Sequence, residues 1–266
     1  GTLITPERTN RMKSSGIQRV SISLDGPDAP THDRFRQVQG AFEGSIRGIE
    51  ELKKEGIEFQ INTTITRHNV DQAQAMLDLA VRLGAAAHHI FLLVPTGRAK
   101  DMTDQEISAA QYEEILHWFY EMRSAVPIHL KATCAPHFYR VLRQEAHRKG
   151  EKVDYATYGL DAMTRGCLGG TSFCFISHVG TVQPCGYLEV QSGDLRTSTF
   201  KEVWENSHVF TKLRDFSNYK GKCGVCEYLK FCGGCRARAF EATGDFMEEE
   251  PLCLYQPSRK ALHGCH

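Results

Sequence analysis

Eight of the ten cysteines in this chain form one array within its last hundred residues. In order they are Cys167, Cys174 and Cys185, then Cys223, Cys226, Cys232 and Cys235, then Cys253. The middle four make a C-x2-C-x5-C-x2-C block, CGVCEYLKFCGGC. Soft thiolates at such spacing ligate metal, and eight suffice for two four-thiolate sites. Three chemistries use cysteines this way. Disulfides favour small secreted domains, and the opening GTLITPERTNRM has no charged segment followed by an apolar one that would mark secretion. Paired C-x2-C units are also zinc-ribbon spacing. Iron–sulfur clusters are the third reading, and the rest of the chain has to decide between the last two.

Charge narrows the partners. Lys and Arg number 32, Asp and Glu also 32, so the formal net charge is zero and nothing electrostatic calls for nucleic acid or a membrane surface. The longest apolar run, residues 90–94, is far too short to span a bilayer.

The first half alternates strand and helix patterns. QRVSISL (residues 18–24) is a short apolar run ending at the turn Asp25-Gly26-Pro27. Phe42, Ile46, Ile49 and Leu52 then share one helical face, closed by Gly56. FQINTTI (residues 59–65) reads as the next strand. A helix follows, with Asp71 expected as its N-cap and Gly84 as its stop. AHHIFLLV (residues 87–94) is a third strand, DQEISAAQYEEILHWFYEMR a further helix, and PIHLKAT a fourth strand. This predicts an α/β fold whose parallel sheet is covered by helices and forms part of a β/α barrel. The alternation stops near residue 150. Beyond it the chain is loop-rich, with a hairpin turning at Val179–Gly180 and two short amphipathic helices, TFKEVWEN and VFTKLRD. Residues 1–150 and 151–266 are therefore expected to be separate domains.

Polar residues recur at the expected C-terminal strand ends, where such barrels keep their sites. They are Ser23 and Asp25 after the first strand, Asn62 and Thr64 within the second, and Pro95, Gly97 and Arg98 after the third. Singly, each reads as a turn or a strand-end hydrogen bond. Together they read as a polar small-molecule site.

With these residues in view, SISLDGPDAPTHDRFR followed by INTTIT and IFLLVPTG resembles the later half of a radical S-adenosylmethionine (SAM) barrel. The cysteine array resembles the SPASM auxiliary-cluster domain, including a glycine, Gly180, placed before Cys185 in GTVQPC. Its last spacing departs from that family, since Cys232 and Cys235 stand two residues apart rather than three. Within the family, FISHVGTVQPCGYLEVQSGDLR and the central block most resemble the haem-biosynthesis branch.

The resemblance implies two auxiliary [4Fe–4S] clusters, one on Cys167, Cys174, Cys185 and Cys235, the other on Cys223, Cys226, Cys232 and Cys253. The short final spacing also keeps a one-cluster version open. It implies that Ser23, Asp25, Asn62, Thr64, Leu93, Pro95 and Gly97 line the SAM pocket, with Arg36 paired to the SAM carboxylate or else an exposed helix-start arginine. The C-x3-C-x2-C motif that holds the SAM-cleaving cluster in that family is absent from residues 1–266. Cys134 and Cys265 each stand alone in the sequence and cannot replace it, so that cluster is expected upstream and this chain by itself should not cleave SAM.

The implied reaction is oxidative decarboxylation of two propionates of Fe-coproporphyrin III to vinyls, giving haem b. An auxiliary cluster would accept the electron left over. The implied partners are an iron-porphyrin substrate and a low-potential electron donor, in a reducing cytoplasm. Arg98, Lys100, Arg165, Arg236 and Arg238, with His88, His89 and His178, are candidates for porphyrin contact, though each reads first as a solvated charge or a satisfied core histidine. Haem d1 biosynthesis, peptide maturation and a non-catalytic zinc-stapled binding module are the alternatives.

Overall fold

The computed structural model describes residues 1–258, so Cys265 lies outside the described residues. Two compact units emerge. The first comprises Gly1–Leu93, Gln105–Ile107 and His117–Thr133; the second comprises Val94–Asp104, Ser108–Leu116 and the chain from Cys134 onward. The change of pattern seen in the sequence near residue 150 thus falls inside the second unit.

The first unit begins with α1 (Pro6–Ser14), β1 (Arg19–Ser23), α2 (Ala29–Arg36), α3 (Ala41–Lys54) and β2 (Glu58–Ile65). It continues with α4 (Ala73–Leu83) and β3 (Ala87–Leu92) and ends with β4 (His129–Thr133). Between β3 and β4 runs α5 (Ala109–Met122), which the two units share. The four strands form one parallel sheet in the order β1-β2-β3-β4. Each return to the next parallel strand needs a crossover, which the helices supply. One face carries Ile22, Phe59 and Ile61, buried with Ile49 and Leu52 of α3 and Ala80 of α4. Helix α3 matches its periodicity, and Gly56 ends it at φ +67 while Ile57 N–H reaches back to Leu52 O at 3.0 Å. Asp71 does not cap α4. It sits inside a 3-10 turn, Val70–Gln72, and Gln72 takes the cap position without a side-chain bond. Gly84 stops the helix as expected, at φ +79.

The second unit opens its cysteine-rich part with α6 (His137–Arg148), α7 (Tyr155–Tyr158) and α8 (Leu160–Met163). A small antiparallel sheet follows: β5 (Phe175–Ile176), β6 (Thr181–Gln183) and β7 (Gly193–Asp194). The β5–β6 turn passes through Gly180 at φ +86, a conformation that suits glycine. Then come α9 (Phe200–Asn206), α10 (His208–Arg214), α11 (Gly221–Gly224) and α12 (Arg236–Thr243). Thr199 and Glu202 form a capping box at the start of α9. Among the described residues this unit holds several small apolar clusters. Among the described residues no helix is long and apolar enough to cross a membrane.

Candidate functional site

In the first unit, the face of the sheet opposite Ile22 and Ile61 is polar. Register places Ser23 beside Asn62, Asn62 beside His89, and His89 beside Lys131; Thr64 stands beside Phe91 and Phe91 beside Thr133. The carboxyl ends of parallel strands are where such sheets bind ligands. Ser23 is exposed there, and Asn62 and Thr64 are half-buried. Gln60 Nε2 lies 2.9 Å from Asn62 Oδ1, to which it donates, and 3.0 Å from His89 Nδ1. Burial, then Lys131 and His129, push the His89 pKa down to about 4, so this imidazole is neutral near pH 7.

Asp25 is fully buried at this end of the sheet and ties several segments together. Its Oδ1 accepts from Thr64 N–H at 2.8 Å, and Arg36 Nη2 reaches Oδ2 at 2.5 Å. His32 Nδ1 accepts from Asp25 N–H at 3.0 Å. Asn69 Nδ2 donates to the carbonyls of both Asp25 and Thr64 at 2.9 Å. Ser23, Asp25, Arg36, Asn62 and Thr64 are therefore brought together, and Leu93 follows β3 in the same unit. Pro95 and Gly97 fall in the second unit. Asp25 and Arg36 are a mutual pair. Asp25 cannot be a free ligand group while it holds this strap, and Arg36, at 39% side-chain exposure, keeps part of its guanidinium at the surface.

In the second unit, Cys223, Cys226, Cys232 and Cys253 line one cavity, together with His137, Arg140, Lys222, Tyr228, Gly233, Gly234 and Tyr255. It encloses about 380 Å³ of space, part of it open to solvent. No disulfide joins the described cysteines. Burial raises the thiols of Cys232 and Cys253, and raises that of Cys226 to about 11. Left alone they are protonated; binding iron would deprotonate them. Cations surround the cavity. Arg236 is buried, and its Nη2 stands 3.6 Å from Cys223 Sγ. Lys222 Nζ donates to Cys253 O at 2.8 Å, and the buried Arg140 pairs with Glu113 at 2.5 Å. A four-thiolate iron–sulfur cluster is anionic overall, so buried guanidinium groups offset its charge where water is excluded. The four thiols around one cavity, with buried guanidinium groups beside them, fit such a cluster.

The remaining thiols divide unexpectedly. Cys185 and Cys235 pack with Val94, Leu188 and Ala237, and with them packs Cys134. The N–H of Cys167 is anchored to Cys232 O at 3.1 Å. Cys174 instead packs with Val182, Val203, Phe210 and Trp204. The two-residue spacing before Cys235 is made workable by Gly233 and Gly234, at φ +74 and +59. A Cβ on Gly234 would stand 2.3 Å from Arg236 Nη2 and 3.2 Å from Cys223 Sγ. Two left-handed residues reverse the chain so sharply that Cys232 joins one thiol group and Cys235 the other.

Arg236 and Arg238, read first as solvated charges, are 2% and 1% exposed. The correction has a physical cause. Arg236 donates to the carbonyls of Phe246 and Glu248 at 3.1 and 2.6 Å and stacks over Tyr219. Arg238 pairs with Glu250 at 2.9 Å and donates to Tyr112 Oη at 2.9 Å and Cys134 O at 2.8 Å. Glu250 also meets His137. Burial alone would raise the Glu250 carboxyl, but Arg238 and His137 outweigh it and hold it well below the usual carboxylate range. Of the other porphyrin candidates, His88 is a core histidine bonded to Thr63 at 2.9 Å and Lys100 pairs with Glu189 at 3.3 Å. Arg165 stacks on Phe216, and His178 is exposed. Sequence reasoning missed His137, Glu250 and Cys134, which carry no motif. Only the even spacing of Arg236 and Arg238 beside the last C-x2-C hinted at the network.

Residues 1–80 match the Radical SAM superfamily, and residues 167–235 match the SPASM family, described as an iron-sulfur cluster-binding domain. The AdoMet-dependent heme synthase of Nitratidesulfovibrio vulgaris is 61% identical over 259 residues, spanning 97% of this chain and 71% of that protein. The AdoMet-dependent heme synthase of Methanosarcina barkeri is 54% identical over 260 residues, spanning 98% of this chain and 74% of that protein. The solved structure of native anSMEcpe with bound AdoMet shares the fold, with a TM-score of 0.62 at 19% identity over 95% of this chain and 68% of that one. The chain belongs to the AdoMet-dependent haem synthases, radical SAM proteins with a SPASM iron–sulfur domain.

Proposed function

We propose that this protein converts two propionate side chains of Fe-coproporphyrin III into vinyl groups, giving haem b. The observation that carries the reading is the single cavity lined by Cys223, Cys226, Cys232 and Cys253, in a chain with 61% identity to a haem synthase. Its thiols, ringed by Arg140, Lys222 and Arg236, would hold one [4Fe–4S] cluster, and Cys167, Cys185 and Cys235 belong to a second. When bound, these clusters would offer an acceptor for the electron left after carbon dioxide departs, while the radical that removes hydrogen from a propionate would come from SAM at the C-x3-C-x2-C cluster.

This chain's own residues do the positioning. Ser23, Asn62 and Thr64 offer hydrogen-bonding groups at the strand ends for SAM, and Leu93 follows β3 in the same unit. Asp25 holds β1 to β2 and orients Arg36, whose exposed part is placed to meet a carboxylate. His89, neutral near pH 7, can accept or donate a hydrogen bond on the polar face without adding charge. We assign the parallel sheet and the helices of the first unit to SAM, and the cysteine-bearing part of the second unit to auxiliary clusters. A low-potential donor supplies electrons from outside the chain.

The test is anaerobic incubation of Fe-coproporphyrin III with SAM, a reductant and the gene product that carries a C-x3-C-x2-C segment, a motif residues 1–266 do not contain. The expected product is lighter by two formic-acid equivalents. A porphyrin recovered unchanged, in a preparation that does cleave SAM, would exclude haem b synthesis.

A further inference from the structure

We propose that Cys134, rather than Cys174, is the fourth thiolate of the site formed by Cys167, Cys185 and Cys235. The inference rests on the haem-synthase reading in that it takes this site to hold a cluster. The first observation is the sorting of thiols. Cys134 packs in the same small cluster as Cys185 and Cys235, around Val94, Leu188 and Ala237. Cys174 packs elsewhere, against Val182, Val203 and Phe210.

The second observation is the backbone. Cys134 directly follows β4 and adopts φ +55, one of two positive-φ positions outside glycine among the described residues. A cysteine gains nothing from that conformation by itself, and it persists only where the surroundings hold it. Here they do. Arg238 Nη2 donates to Cys134 O at 2.8 Å and Tyr112 Oη donates to the same oxygen at 3.4 Å. Both donors are buried, and Arg238 is itself fixed by Glu250 at 2.9 Å. The carbonyl is clamped toward this network, and the thiol joins the other two. Strain held at a chosen position by a buried polar network is the signature of a functional placement. Ligation needs only that the thiol give its proton to solvent as the iron–sulfur bond forms.

The test measures iron and acid-labile sulfide in the anaerobically reconstituted 266-residue chain, with Mössbauer spectra of the bound iron. Replacement by glycine relieves the positive φ, so Cys134→Gly removes the thiol without penalising the backbone. Cys134→Gly is expected to lose about half of the iron held by the unsubstituted chain, while Cys174→Ala keeps all of it. Cys134→Ser is expected to keep the second cluster with one iron spectroscopically distinct, as oxygen replaces sulfur. Loss of iron from Cys174→Ala, or full retention in Cys134→Gly, overturns the assignment and leaves the haem-synthase reading standing. An unsubstituted chain that takes up no iron overturns that reading, and this assignment with it.

Discussion

Cys232 and Cys235 are separated by two glycines yet belong to different groups of thiols, Cys232 lining the cavity with Cys223 and Cys235 packing with Cys185. That division depends on Gly233 and Gly234 holding positive φ. Gly234→Ala would place a methyl 2.3 Å from Arg236 Nη2 in a conformation that L residues avoid. The expected outcome is destabilisation by roughly 1–3 kcal/mol and loss of iron from the cavity site. Urea unfolding combined with iron analysis checks both.

The Glu250–Arg238 pair predicts a strong response to charge removal. Both side chains are buried, at 2.9 Å. Glu250→Gln leaves Arg238 charged and uncompensated, at an expected cost of ~3–5 kcal/mol, whereas the double variant Glu250→Leu with Arg238→Met recovers much of the loss. The pH dependence has a definite sign. The folded carboxyl sits below its ordinary 4.5, so its stabilisation is present above that pH and disappears as pH falls below it. The gap between wild type and Glu250→Gln should therefore narrow in unfolding curves taken below pH 4.5.

Much of this was legible in the chain itself, and the limits are physical. Alternation and helix periodicity gave all four strands and the buried face of α3, because Ile49 and Leu52 bury wherever the sheet lies. The family resemblance grouped Cys223, Cys226, Cys232 and Cys253, three of which stand close in sequence, and all four line one cavity. Cys134 was invisible because its packing partners are remote in sequence: it stands 51 positions before Cys185, counted as 185 minus 134, and 101 before Cys235, counted as 235 minus 134. Arg236 and Arg238 were misjudged because sequence shows a charge but not the carbonyls and carboxylate that satisfy it. Asp71 was misjudged because a 3-10 turn took the place of a cap.

His88 makes the first unit sensitive to mild acid. It is fully buried and bonded to Thr63 at 2.9 Å, and burial lowers its pKa from 6.5 to about 4. Between those values the unfolded chain binds the extra proton, so stability rises with pH there. The stabilisation is complete above about pH 7 and is lost as pH falls from 6.5 toward 4, amounting to on the order of 3 kcal/mol at most. His88→Gln, which retains a partner for Thr63, should flatten this slope in unfolding measurements across that range.

Asp25 is predicted to matter for structure first and for SAM second. Asp25→Ala removes the acceptor of Thr64 N–H and the partner of Arg36, with an expected cost of about 1–3 kcal/mol. Arg36→Met leaves the buried Asp25 carboxylate without its cation, so a lower melting temperature is expected; if the exposed part of Arg36 also meets the SAM carboxylate, the folded variant binds SAM at least tenfold more weakly, ~1.4 kcal/mol. Equal SAM affinity by equilibrium dialysis would remove Arg36 from the pocket.

Arg236 offers a test of how the protein sets the potential of the cavity cluster. Its Nη2 stands 3.6 Å from Cys223 Sγ, and its Nε and Nη1 donate to the carbonyls of Gly234, Phe246 and Glu248. The guanidinium is thus held rigidly beside one prospective ligand. Hydrogen bonds and positive charge at a cluster sulfur favour the reduced, more anionic state and raise the potential. A charge-assisted bond of ~1.5 kcal/mol corresponds to ~60 mV for a one-electron couple. Arg236→Lys keeps the charge but cannot reproduce the guanidinium fork, because an ammonium cannot bridge three carbonyls and a sulfur from one plane. The variant should therefore bind its iron yet show a midpoint lower by up to ~60 mV in an anaerobic redox titration followed by EPR. An unchanged midpoint with full iron content would mean that Arg236 braces the loop from Phe246 to Glu248 and leaves the cluster's electronics alone.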